Sequence, residues 1–163
     1  MTPTDGTFGA AIHHSVVIVR DLDTSLRFYR DGLGLDVLVD RRIEGDWPGL
    51  FDGPSGSLRV VFLGDARVAD VTSGVLELNA FVDGDVPIGD APAHPTTGFF
   101  MLSYFVDVQA TLERLADLGL GGPPRQVSQA TPHGDITIAL VRDPDGVRIL
   151  LTPGSITQTP SST

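Results

Sequence analysis

Residues 13–35 read HHSVVIVRDLDTSLRFYRDGLGL, and this stretch contains the pattern that decides the fold. The β-branched run at 12–19 predicts a short strand, and Asp21 just after it is suited to cap a helix. Apolar residues then recur at helical spacing, at Leu26, Tyr29 and Leu33. Gly32 or Gly34 is expected to end this helix, because glycine readily adopts the conformation found at helix C-termini.

The same pattern returns 87 residues further on, when Val19 is matched with Val106. Residues 99–106 (FFMLSYFV) again predict a strand, Asp107 is a second N-cap, and a leucine-rich helix follows up to Gly119. The two halves share this pattern more than they share letters, which indicates an internal repeat.

Three further strands are predicted after each helix, so that each half has the order strand, helix, three strands. The predicted strands are 36–40, 57–63 and 74–81 in the first half and 125–128, 135–141 and 147–152 in the second. The expected organisation is an N-terminal tail at 1–11, a first module at 12–82, a linker at 83–98, a second module at 99–153 and a C-terminal tail at 154–163. One compact domain results, because each half would otherwise expose one face of its sheet.

Composition excludes several classes of function. All 11 basic residues of the 163 are arginine and there is no cysteine, so Schiff-base lysines, thiolate nucleophiles and disulfides are excluded. The net charge of −10 disfavours nucleic acids and anionic membrane surfaces as partners. The chain lacks an apolar run of membrane-spanning length and a signal-peptide pattern, which favours a cytoplasmic location.

Five segments together resemble the vicinal oxygen chelate superfamily, which includes glyoxalase I, extradiol dioxygenases and bleomycin-resistance proteins. They are residues 13–35, LRVVFL (58–63), LELNAF (76–81), 99–120 and VRDPDGVRILL (141–151). The resemblance spans about residues 12–152. It implies an α+β fold in which two tandem βαβββ modules form a cup-shaped, curved mixed β-sheet with helices outside. The reaction stays open, because this fold supports several chemistries.

The resemblance also implies where a metal would be bound. Each half of such proteins contributes two ligands to one divalent metal inside the cup, and the matching positions here are His14, Glu77, Met101 and Leu150. Met101 and Leu150 have apolar neighbours, so a register shift of one residue restores no ligand in the second half.

Two donors are fewer than a catalytic metal site usually takes from its protein. We therefore expect no cofactor, or a divalent metal held weakly by His14 and Glu77. A loop histidine, His94 or His133, could complete the set.

Glu77 is informative even without a metal. An ionised carboxylate in an apolar strand requires a partner, a raised pKa or a wet cavity. Alternation places Glu77 opposite Leu76 and Leu78, so its side chain points into the cup or to solvent. His13 and His14 should point to opposite faces, and the resemblance favours His14 as the cup residue. His14 and Glu77 would then form an acid–base pair, the alternative being a purely structural histidine.

Other side chains are candidates for ligand binding. Trp47 lies in the 45–56 loop, where its ring either stacks on a planar ligand or, with Phe51, fastens the loop to the core. Met101, Ser103 and Leu150 are expected to line the second half of the cup.

Three functions remain open on the sequence alone. The preferred one is an enzyme, a lyase, isomerase or dioxygenase of the vicinal oxygen chelate type, that binds a small carbonyl-containing or aromatic metabolite and has an incomplete or absent metal site. The second is a non-catalytic protein that sequesters an antibiotic-like small molecule in a dry cup. The third, a metal-dependent glyoxalase or dioxygenase, conflicts with the missing donors. A homodimer is compatible with the resemblance.

Overall fold

Eight strands form two mixed four-stranded sheets in the computed structural model, which describes residues 12–67, 74–89, 94–132 and 134–154. The strands are β1 (His14–Ile18), β2 (Asp36–Glu44), β3 (Ser57–Gly64), β4 (Val75–Phe81), β5 (Leu102–Phe105), β6 (Arg125–Thr131), β7 (Gly134–Arg142) and β8 (Arg148–Thr152). The first sheet has the order β1-β4-β3-β2 and the second β5-β8-β7-β6. In each sheet the first pair is parallel and the others are antiparallel, so the same topology occurs twice.

The predicted helices begin at the predicted caps. In α1 (Leu22–Leu26) the Thr24 amide donates to the Asp21 carboxylate at 3.0 Å. The chain then continues as a π-helical turn (Arg27–Gly32). In α3 (Val108–Asp117) the Ala110 amide donates to Asp107 in the same way. Both caps satisfy backbone donors that a helix leaves unpaired at its first turn.

The structure differs from the predicted elements in several places. Strand β2 extends to Glu44 and β6 to Thr131, while β5 is shorter than predicted. The 45–56 loop contains a short helix, α2 (Trp47–Phe51), which begins with an Asp46 side-chain cap and a proline in its first turn. The predicted tails at 1–11 and beyond 154 lie outside the described residues. Among the described residues no helix is long and apolar enough to span a membrane.

A single core joins the two modules. Alternate residues of the central strands are buried beneath the helices, namely Val61, Leu63, Leu76, Leu78, Ala139, Val141, Ile149 and Leu151. The helical regions also contact each other directly, because Arg114 donates to the Gly32 carbonyl at 3.0 Å and Arg27 donates to the Leu118 carbonyl at 3.1 Å. The opposite face of the first sheet is partly covered by α2, and a cavity lies between them.

The edge strands β1 and β5 lie beside each other. His14 and Ser15 of β1 line a small cavity of about 210 Å³ together with Leu102, Ser103 and Tyr104. The predicted α+β fold with two tandem βαβββ modules is confirmed. The hydrogen-bonded ladders of the described residues end at β1 and at β5, so the strands form two mixed sheets.

Candidate functional site

His14 and Glu77 meet on the face of the first sheet that lies opposite the core and borders α2. The His14 Nε2 atom lies 3.2 Å from Glu77 Oε2. Strands β1 and β4 run parallel with Val16 opposite Glu77, so His14 reaches Glu77 diagonally from one pleat away. The His14 side chain is 37% exposed and that of Glu77 is 12% exposed. One partner therefore faces the opening of the cup while the other is held inside it.

The position of Glu77 follows from strand alternation, as predicted. Its neighbours Leu76 and Leu78 are part of the core, and Glu77 lies on the other face with His14. The alternative of a solvent-facing glutamate is wrong, because Glu77 is buried. A buried carboxylate needs a hydrogen-bonding or charged partner, which His14 supplies.

The prediction that His13 and His14 point to opposite faces is wrong. Their Nδ1 atoms are 2.8 Å apart and their rings meet edge to face. His13 lies at the start of β1, where its carbonyl accepts a hydrogen bond from the Val75 amide at 3.2 Å. The imidazoles and Glu77 thus form a continuous chain of contacts, in which one Nδ1 donates and the other accepts.

A cavity of about 470 Å³ opens beside the His14–Glu77 pair. Its lining is mostly apolar and aromatic: Val16, Ile18, Ile43, Leu58, Val60, Trp47 and Phe51. Helix α2 places the Trp47 ring stacked on Phe51, with centroids 5.8 Å apart, and Phe51 packs against Phe81. Trp47 therefore both borders the cavity and fastens its loop. A volume of this size suits a small organic molecule.

The cavity also contains Asn79, which the sequence analysis did not single out. Asn79 lies two residues after Glu77 on β4 and is 6% exposed. Strand alternation in LELNAF could have identified it, because residues 77 and 79 share a face. A lone asparagine in a strand carries no motif, however, and its burial appears only when β1 and β3 flank it.

The second module repeats this geometry with apolar residues. Ser103 pairs with Leu150 in the parallel β5–β8 ladder, as Val16 pairs with Glu77 in β1–β4. Met101 precedes Ser103 by two residues, as His14 precedes Val16. Met101 and Leu150 therefore occupy the positions that correspond to His14 and Glu77, which agrees with the alignment made from sequence.

These residues do not fit a tightly held divalent metal. His14 and Glu77 are two donors, and the corresponding pair offers a soft thioether and a hydrocarbon. Within the described ranges, groups of three or more metal-binding side chains are absent. His94 is exposed and belongs to no such group, and His133 lies outside the described residues. The donor set thus falls short of the three protein ligands that catalytic sites usually have.

The remaining predicted residues, Met101, Ser103 and Leu150, do not line the 470 Å³ cavity that Trp47 borders. Ser103 is exposed and lines the small cavity between β1 and β5, next to His14. Met101 and Leu150 are half-buried. Their contribution to ligand binding stays a prediction.

This chain is similar to known proteins of one superfamily. The Glyoxalase/Bleomycin resistance protein/Dioxygenase superfamily matches residues 11–151. The lactoylglutathione lyase-like protein terB of Aspergillus terreus is 41% identical over 145 residues, which cover 86% of this chain and 74% of that protein. The probable lactoylglutathione lyase of Synechocystis is 30% identical over 139 residues, covering 85% and 91% of the two chains.

Solved structures have the same fold. A glyoxalase family protein of Bacillus cereus matches with a TM-score of 0.65 at 19% identity, covering 92% of this chain and 99% of the other. The trypanothione-dependent glyoxalase I of Leishmania major matches with a TM-score of 0.57 at 25% identity, covering 89% and 87%. The resemblance inferred from the five sequence segments is thereby confirmed.

Proposed function

Because this chain belongs to the glyoxalase/bleomycin resistance/dioxygenase superfamily, we propose that it binds a small carbonyl-containing or aromatic metabolite beside His14 and Glu77 and transforms it as a lyase or isomerase. The observation that carries the proposal is the 3.2 Å contact between His14 and Glu77 at the mouth of an apolar cavity. The mostly apolar lining beside the pair strengthens its interaction with a ligand. The relatives named as lactoylglutathione lyases support the reaction class.

The chemistry is proton transfer without a tightly held metal. The Glu77 carboxylate accepts the proton from the carbon next to the ligand carbonyl. The electron pair of the broken C–H bond forms a carbon–carbon double bond, and the π pair of the carbonyl moves to its oxygen. The protonated Glu77 then returns this proton to the neighbouring carbon, so that no proton is gained or lost overall. His14 holds the Glu77 carboxylate in place through their 3.2 Å contact, and general acid–base catalysis requires a positioned base of this kind.

Substitution of the pair tests the proposal. Glu77→Gln and His14→Ala should each reduce kcat/KM by about 10²–10⁴ while the protein stays folded, since this is the usual contribution of a positioned acid or base. Turnover of S-lactoylglutathione is a suitable first assay, followed by a panel of α-hydroxycarbonyl and aromatic carbonyl compounds. Glu113→Gln and His94→Ala are matched controls, because both side chains are exposed. Full activity in both site variants would reject this function.

The second candidate function is non-catalytic sequestration of a small molecule. It is favoured by Met101 and Leu150, because these side chains replace metal-ligating residues with apolar ones. A ligand recovered unchanged after long incubation, with tight binding, would support this function over the enzymatic one.

A further inference from the structure

The second module contains a separate cavity of about 710 Å³, which lies between the segment that follows α3, the end of β7 and the start of β8. Within the described ranges it shares no lining residue with the cavity beside His14 and Glu77. The charged residues of its described lining are three arginines and one aspartate, namely Arg125, Arg142, Arg148 and Asp143. The whole chain has 21 acidic and 11 basic residues, so this local excess of arginine is opposite in sign to the overall charge.

The three arginines lie on neighbouring strands and on one face of the second sheet. Arg142 of β7 is directly opposite Arg148 of β8, and Arg125 of β6 is opposite Leu140, two residues from Arg142. Directly opposite residues have Cβ atoms about 4.5–5.5 Å apart, and diagonal neighbours lie at about 7–8 Å, within reach of long side chains. One small group in the cavity can therefore contact both Arg125 and Arg142, with Arg148 beside them.

Two of these side chains are positioned by contacts within the second module. Arg142 Nη1 donates to the Gly146 carbonyl at 2.8 Å, and a guanidinium has further N–H donors for a ligand. The Arg148 guanidinium lies 4.7 Å from the centre of the Phe100 ring, and Arg148 is 9% exposed. The Gly146 carbonyl carries no net charge, so it orients Arg142 without neutralising it.

Arg125 and Arg142 have no carboxylate partner among the described residues. The ion pairs of that part of the chain involve five other arginines, namely Arg20, Arg30, Arg42, Arg59 and Arg67. Asp143 does not supply the missing charge, because its carboxylate accepts hydrogen bonds from the Tyr29 hydroxyl and from two backbone amides. Like charges on adjacent strands destabilise a sheet, and an anion bound between them would remove this repulsion.

The lining indicates which anion fits. Arginine forks match the oxygens of phosphate groups, and a phosphate monoester carries about 1.5–2 negative charges at pH 7. A volume of 710 Å³ is that of a site for a small organic molecule, and Leu120, Pro123 and Leu140 provide apolar surface. Part of the wall is glycine, at positions 119, 121 and 122, where a ligand can approach the backbone closely.

We propose that this cavity binds a small phosphate ester, whose phosphate group pairs with Arg125 and Arg142 beside Arg148 and whose organic part lies against the apolar lining. The site is separate from the His14–Glu77 pair, so the inference does not depend on the proposed function.

The test uses three probes: phenyl phosphate, benzenesulfonate and inorganic phosphate. Benzenesulfonate keeps the ring and three oxygens but has a single negative charge, and inorganic phosphate lacks the organic part. Calorimetric titration at low ionic strength should show phenyl phosphate binding about tenfold more tightly than either of the others, the effect of about one charge-assisted hydrogen bond or one buried ring. Amide NMR shifts on binding should occur at residues 119–123 and 142–148 and not at His14 or Glu77.

Arginine variants show whether the proposed residues hold the phosphate. Arg125→Gln and Arg142→Gln should each weaken phenyl phosphate about tenfold, because each removes a charge-assisted hydrogen bond. Arg41→Gln is the matched control, since it makes the same change of net charge at an exposed position of the first module and should leave the affinity unchanged. Arg125 is exposed, so Arg125→Gln should stay folded even if the Arg142 variant does not.

The outcomes separate this inference from the proposed function. Glu77→Gln should bind phenyl phosphate as the wild type does, whatever its effect on turnover. Failure of the wild type to bind phenyl phosphate, equal weakening by Arg41→Gln, or shifts confined to the His14 cavity would each overturn the phosphate site. Equal affinities for phenyl phosphate and inorganic phosphate would overturn the assignment of an ester.

Discussion

Removal of the Tyr29 hydroxyl should lower the stability of the protein, because this hydroxyl links the two modules. Tyr29 is fully buried and donates to Asp143 Oδ2 at 2.7 Å across 114 residues of sequence. The other oxygen of Asp143 accepts the amides of Asp145 and Val147 at 3.0 and 2.7 Å. In Tyr29→Phe the Asp143 carboxylate keeps its burial and loses one donor, which should lower the free energy of unfolding by about 2 kcal/mol. The melting temperature should fall by about 4–8 °C.

The pH dependence of this loss has a definite sign. Burial raises the pKa of the Asp143 carboxyl above its usual range, while the hydrogen bonds from Tyr29 and the two amides act in the opposite direction. Ionisation of Asp143 therefore costs stability as pH rises from its unfolded pKa through its folded pKa. Tyr29 offsets part of that cost, so Tyr29→Phe should be more destabilising at about pH 7 than at about pH 4. The phenol itself stays protonated, because burial raises the pKa of Tyr29.

Urea denaturation of wild type and Tyr29→Phe at both pH values measures the effect. Arg20→Gln is the control, because the Arg20–Asp145 pair also joins the modules at 2.7 Å but Arg20 is half exposed. Loss of this ion pair should lower the free energy of unfolding by less than about 1 kcal/mol. A Tyr29→Phe effect no larger than that of Arg20→Gln, or one independent of pH, would refute the reasoning.

Three further predictions concern the cup and the core. The double variant Met101→His/Leu150→Glu should bind zinc or nickel near one per chain by elemental analysis, whereas the wild type should retain much less, because four donors replace two; equal metal contents would contradict the role assigned to these positions. Leu63→Ala should lower the free energy of unfolding by about 3 kcal/mol, measured by urea denaturation, because Leu63 is completely buried, while Val127→Ala at an exposed position should change it little. Gly32→Ala should cost about 1–3 kcal/mol in the same assay, since the new methyl group would overlap the Leu115 side chain of the other module, and Leu115→Ala in the same chain should make the added methyl group less harmful.

The repeated topology and the orientation of Glu77 could be predicted from the sequence alone. Period-two and helical patterns depend on local geometry, so strands and capped helices could be placed from residues 13–35 and 99–119 without tertiary information. The same alternation placed Glu77 opposite the core leucines. The resemblance to the superfamily then indicated that His14 lies beside Glu77.

Only the tertiary structure decided which polar side chains are buried and which of them contact each other. His13 and His14 contact each other although they are neighbours at a strand start, and helix α2 forms where the sequence predicted a loop. The burial of Asn79 and the Tyr29–Asp143 bond arise when distant strands and helices close around these residues. A one-dimensional pattern records which face a side chain takes, but desolvation and hydrogen-bond pairing depend on every neighbour that the folded chain brings within a few ångströms.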